Sequence, residues 1–216
     1  MGWMSSVPPP SSTGRRLKKS RLGQAQLRFP RSLFSSSENA SISKTRGGLQ
    51  RDRALPSEEL IALMLEGLEL DGTERVLELG SPTAYPAALL SALAGEVFSA
   101  VASQELAQAR GRQLAALGCH NVQAVCTEAS RGWPEGAPYQ AVLIAAGTSS
   151  VPSELIDQLE IGGRLVAAIG DADAQLVVRF HRRAAAVDSE TLGACHMGML
   201  SGARRVASPF PWTKAT

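Results

Sequence analysis

The chain has 216 residues and a formal net charge of +2, enough length for one well-buried domain and too little for two large ones with a linker. With 44% hydrophobic and 19% charged residues it has the make-up of a globular protein, and no apolar run reaches the ~20 residues of a bilayer-spanning helix. Cys119, Cys126 and Cys195 are odd in number and lack C-x-x-C spacing, so neither a disulfide framework nor a zinc site is indicated. The expectation is a cytoplasmic protein with buried thiols, no metal and no membrane partner, since the N-terminus also lacks the positive-then-apolar order of a secretory signal.

The charge is unevenly spread. Residues 1–50 hold nine lysines and arginines against Glu38 alone, a net of +8, which leaves −6 for the remainder. This segment is rich in serine, contains Pro8-Pro9-Pro10 and Ser35-Ser36-Ser37, and has no sustained apolar period. Lacking surface to bury, it is expected to be a disordered basic tail, dispensable for folding, ahead of a domain spanning residues 51–216. A solvated tail or over-extended translation start, an anion-binding arm and an organelle transit peptide are the alternatives. Nucleic acid is not expected as a partner, because the aromatic interleaving of single-strand binders is absent.

From Leu55 the pattern changes. Pro56-Ser57-Glu58-Glu59 gives a helix start with a hydroxyl at the N-cap and carboxylates in the first turn, and Leu60, Ile61, Met64, Leu65 and Leu68 recur at helical spacing. Asp71-Gly72 ends that helix. A buried strand, Val76-Leu77-Glu78-Leu79-Gly80, then runs through the small-residue turn Ser81-Pro82-Thr83-Ala84-Tyr85 into a helix over Pro86-Ala87-Ala88-Leu89-Leu90. Such a strand-to-helix junction presents free N–H groups and a positive dipole end at the carboxyl edge of a sheet, where α/β proteins hold nucleotides. Further strands are expected at Val97–Val101, Asn121–Cys126, Tyr139–Ala146 and Arg164–Ile169, and helices at Gln104–Leu117 and Pro152–Leu159. Gln175–His181 and Ala194–Leu200 follow as an antiparallel pair. The sum is an α/β, doubly wound, seven-stranded mixed sheet with helices on both faces.

Several segments together resemble the protein-L-isoaspartate O-methyltransferase family. These are Val76-Leu77-Glu78-Leu79-Gly80 with Tyr85, Ala87 and Ala88; Leu117-Gly118 with Asn121-Val122; Arg131-Gly132-Trp133; Pro138-Tyr139; and Gln158-Leu159 with Gly162-Gly163-Arg164-Leu165-Val166 and Gly170, in the family's order over about residues 55–200. The resemblance implies the S-adenosylmethionine-dependent methyltransferase (Rossmann-like) fold. It also implies methyl transfer from S-adenosylmethionine to isoaspartyl carboxylates of damaged protein or peptide substrates. Carried over by position, it assigns Glu78, Gly80, Ser81, Tyr85, Glu128 and Ala129 to the cofactor and makes Ser57 the nearest hydroxyl to the substrate carboxylate.

The chain departs from the family pattern at the cofactor. The Gly-x-Gly-x-Gly turn keeps only Gly80, with Pro82 and Ala84 at the other places. The acid that takes the ribose hydroxyls falls on Val101, and the Gly-Asp-Gly segment on Thr127-Glu128-Ala129. Weak cofactor binding is therefore expected, and a non-catalytic binding or scaffold protein with this fold is the alternative. Trp133 reads first as a packing residue, Glu78 equally as a strand-end acid, and His120, His181 and His196 as scattered singles.

Overall fold

This computed structural model describes residues 12–34, 56–171 and 174–200. Helix α1 (Ser12–Arg28) and a 3-10 turn (Arg31–Phe34) precede α2 (Glu58–Gly67). Then come β1 (Arg75–Leu79), α3 (Tyr85–Leu93), β2 (Glu96–Val101), α4 (Gln104–Ala116) and β3 (Val122–Cys126). The chain continues through β4 (Tyr139–Thr148), α5 (Ser153–Asp157), β5 (Leu159–Gly170), β6 (Gln175–Arg182) and β7 (Val187–Cys195). The strands form one sheet in the order β3-β2-β1-β4-β5-β6-β7, parallel up to β5 and antiparallel beyond it.

The two periods of the sequence place the core. Alternate residues of a strand point to opposite faces, so Val76, Ala141, Leu143 and Val166 join one cluster while Leu77, Leu79, Val142, Ile144 and Leu165 join the other. The first cluster is capped by α1–α4, through Ile61, Met64, Leu65, Leu89, Leu90 and Leu114. The second is covered by α5, through Leu155, and by the loop holding Trp133. Serine N-caps start two of the helices: Ser57 accepts from the Leu60 N–H at 3.1 Å and Ser103 from the Leu106 N–H at 3.3 Å. At the turn into β1, the buried Glu74 carboxylate accepts from the N–H groups of Asp71 (2.7 Å) and Gly72 (2.9 Å).

Two expectations are corrected. Within the basic N-terminal segment, residues 12–28 are helical, and Leu22, Ala25, Phe29 and Phe34 are buried in the first core cluster, where α1 packs on α2 and α3. Leu22, Ala25 and Phe29 follow helical spacing, but one of the three is an alanine, so the apolar stripe is thin against the surrounding charge. Arg21 spends its guanidinium on the carbonyls of Asp71 and Ala92, which turns a basic residue into a clamp on the domain. The rest of the expected disordered tail, residues 1–11 and 35–50, lies outside the described residues. The last strand also begins earlier than expected, at Val187 rather than Ala194, after a turn closed by the Arg183 N–H bonding the Ala186 carbonyl. Its exposed Asp188, Ser189, Glu190 and Thr191 carry no apolar signal, because it is the sheet's edge and is specified by pairing with β6.

Candidate functional site

The carboxyl end of β1 lies at the strand-order reversal between β1 and β4, the crevice where open α/β sheets take ligands, with β2 its neighbour on the other side. Register puts Glu78 opposite Ser99. The Ser99 hydroxyl donates to the Glu78 carboxylate at 2.7 Å, and the Arg110 guanidinium, arriving from the second turn of α4, lies 3.7 Å from the same oxygen. Arg110 also donates to Ser99 Oγ at 3.2 Å and to the Ser81 carbonyl at 3.0 Å. Glu78 is 0% and Arg110 4% exposed, so this is an ion pair withdrawn from water.

Gly80, at φ +82°, makes the bend that only glycine takes readily, and its missing side chain matters for space as well. A Cβ there would stand 2.8 Å from Leu200 Cδ1 and 3.1 Å from the Ala146 methyl. Leu200 reaches this point because residues 197–200 return to the sheet. The Gly147 N–H bonds the Gly198 carbonyl at 2.9 Å, the Leu200 N–H bonds the Gly147 carbonyl at 2.7 Å, and Gln175 holds Met197 through both its N–H and its carbonyl. The turn beyond Gly80 is folded on itself: the Ser81 hydroxyl donates to the Thr83 carbonyl at 2.8 Å, and Ser81, Thr83, Ala84 and Tyr85 are all buried.

The predicted site residues thus fall into three groups. Glu78, Gly80 and Ser81 are brought together, with Arg110 joining the first and last. Tyr85 and Ser81 border a small cavity with Arg31, Phe34, Pro56 and Thr83, so the N-terminus of α2, where the exposed Ser57 sits, adjoins the turn after β1. Tyr85 is 4% exposed, its ring 5.5 Å from that of Phe34, and burial raises its phenol pKa, with the charge of Glu58 acting in the same direction. Glu128 is exposed and Ala129 half-buried in the loop after β3, which is tied to the end of β2 by the Thr127 N–H donating to the Val101 carbonyl at 2.9 Å. Val101 itself is buried and offers no acceptor side chain to that edge.

The loop of Arg131, Gly132 and Trp133 is held by backbone contacts. Gln158 accepts from the Trp133 N–H (2.9 Å) and donates to the Arg131 carbonyl (2.7 Å), Thr127 donates to the Gly132 carbonyl (2.7 Å), and the buried Tyr139 hydroxyl donates to the Trp133 carbonyl. Trp133 lies against the second core cluster, which is the packing role expected of it. Among the described residues no group of three or more His, Cys, Asp and Glu could hold a metal ion, and no helix is long and apolar enough to cross a membrane.

Sequence reasoning missed Arg110, Leu200 and Arg31. A basic residue on the inward face of a helix, at the i+3 position from the buried Ala107 and i−4 from the buried Leu114, was the legible signal for Arg110. Leu200 had none, because its position depends on a chain reversal after β7.

The family model described as Protein-L-isoaspartate(D-aspartate) O-methyltransferase matches residues 12–201. The protein-L-isoaspartate O-methyltransferase of Geobacter metallireducens is 36% identical over 171 residues, covering 78% of this chain and 79% of the relative. That of Rhodopseudomonas palustris strain CGA009 is 42% identical over 154 residues, 70% of this chain and 71% of its own. A protein-L-isoaspartate O-methyltransferase 1 from strain HaA2 of the same species is 48% identical over 124 residues, and there the match spans about half of the relative, 51%. A solved protein-L-isoaspartate O-methyltransferase superposes with a TM-score of 0.70 at 25% identity, over 88% of this chain and 65% of that one. A Plasmodium falciparum structure described as a complex with S-adenosyl-L-homocysteine shares the fold, at TM-score 0.62 and 14% identity.

Proposed function

The chain belongs to the protein-L-isoaspartate O-methyltransferase family, and on that premise we propose that it methylates the free carboxylate of isoaspartyl residues in damaged proteins or peptides. S-adenosylmethionine is the methyl donor that family membership indicates. The observation that carries this reading is the family match over residues 12–201 on a seven-stranded mixed sheet, the architecture expected from the sequence. Methyl transfer from a sulfonium asks the protein for orientation and a dry surface rather than an acid–base pair or a metal. Ser57 at the N-terminus of α2 would face the substrate carboxylate, while Glu128 and Ala129 would border the adenine side. A cytoplasmic location accords with Cys119, Cys126 and Cys195 standing as free thiols, two of them with pKa raised by burial.

The crevice in the described conformation does not fit the donor. Glu78, Ser81, Thr83, Ala84, Val101 and Arg110 are all buried, Arg110 is bonded across the turn, and Leu200 stands over Gly80. This favours a second reading, a methyltransferase-fold binding protein with little activity. Transfer of labelled methyl groups to an isoaspartyl peptide, with the matching aspartyl peptide as control, separates the two. Slow but isoaspartyl-selective labelling supports the first reading, and equal background on both peptides supports the second.

A further inference from the structure

We propose that Arg110 is a built-in occupant of the methyl-donor crevice, a latch whose guanidinium ties β1, β2 and the turn after β1 together and must be displaced before an adenosyl ligand can enter. The inference rests on the family reading for the identity of that ligand. Three observations on different elements converge. Arg110 joins the strand-end acid Glu78, the β2 hydroxyl of Ser99 and the main-chain carbonyl of Ser81, at 3.7, 3.2 and 3.0 Å. Its Ser81 bond consumes a carbonyl of the turn around which a ligand would wrap, while Leu200 covers Gly80 in the same turn. And Val101 puts a buried apolar side chain at the end of β2, where an acid would draw a ribose.

A purely structural ion pair would be expected to anchor elements that are otherwise loosely joined, yet β1 and β2 are already paired along five registered positions. Buried pairs of this kind contribute little net stability, because desolvation of both charges offsets their attraction. What Arg110 adds beyond the strand pairing is the tie to Ser81, across the mouth of the crevice.

The test is calorimetric titration of the full chain with S-adenosylhomocysteine, comparing the natural protein with Glu78→Gln/Arg110→Met, which removes the pair without leaving a bare buried charge. The latch predicts affinity at least ~10-fold tighter in the double variant, with a further gain on adding Leu200→Ala. An unchanged or weaker dissociation constant in the folded double variant overturns it. Should that variant not fold, Arg110→Lys keeps the charge but loses the forked reach to Ser81. It should bind several-fold tighter than the natural protein, and equal affinity would count against the latch. Binding alone is read, so an opened variant that takes S-adenosylhomocysteine yet methylates no isoaspartyl peptide would sink the proposed substrate and leave the latch standing.

Discussion

At the scale of single residues, the sequence showed which side chains are buried more readily than what they bond. Trp133 was legible as a packing residue under its loop, and its side chain lies against the second core cluster. Trp133→Ala should therefore destabilise the domain by ~3 kcal/mol, measured by denaturant unfolding, with or without ligand. Lost binding at unchanged stability would place the ring in the site instead. The Glu78–Arg110 pair was not legible, since the partners lie on different elements and only the β1–β2 register and the crossover of α4 bring them together. His181 carries a pH dependence. Its pKa is held below the ordinary value by burial first, then by the charges of Arg179 and Arg183. The folded state thus favours neutral imidazole, while the unfolded chain takes up a proton near pH ~6.5. Its contribution to stability is present above that value and lost as pH falls through the folded pKa. His181→Gln should flatten the stability profile on the acid side of about pH 6.5, and a slope equal to that of the natural protein would assign it to other groups.

Among elements, those with a dense period of large aliphatic residues were readable, and those specified by docking were not. Helix α2, with Ile61, Met64 and Leu65 on one face and a serine cap, is found where expected. Helix α1 was not foreseen, because among its described side chains the buried set is Leu22, Ala25 and, just past its end, Phe29. The expectation that the N-terminal segment is dispensable is accordingly reversed. Leu22, Phe29 and Phe34 are each 4% exposed or less, and burial of such side chains contributes ~1.5–3 kcal/mol apiece. Deleting residues 1–34 should lower the midpoint of thermal unfolding by ~10 °C or more, at ~2–4 °C per kcal/mol for a chain of this size. Retention of the natural midpoint would mean that α1 does not hold the domain together. The strand β7 teaches the same lesson from the other side: an edge strand of polar residues is fixed by the hydrogen bonds of β6, so its start could not be read from hydrophobicity.

On the scale of the whole molecule, the alternation of strand and helix was enough to give the sheet, since right-handed crossovers between parallel strands leave few topologies open. The sequence also marked the weak point, the turn that keeps one of three glycines and the absent acid at Val101. What it did not show is that Arg110 bonds the Ser81 carbonyl in that turn and that Leu200 packs over Gly80. The chain is a protein-L-isoaspartate O-methyltransferase family member, and the proposed latch holds its donor crevice closed. Its most direct test is titration of the unmodified full chain with S-adenosylhomocysteine. Two forgone bonds from ribose hydroxyls to a charged acceptor, at ~1.5–3 kcal/mol each, together with the displacement of Arg110, predict a dissociation constant of about 100 micromolar or weaker. A value of about 1 micromolar for the natural protein would contradict the closed crevice and make Arg110 a bystander to cofactor binding.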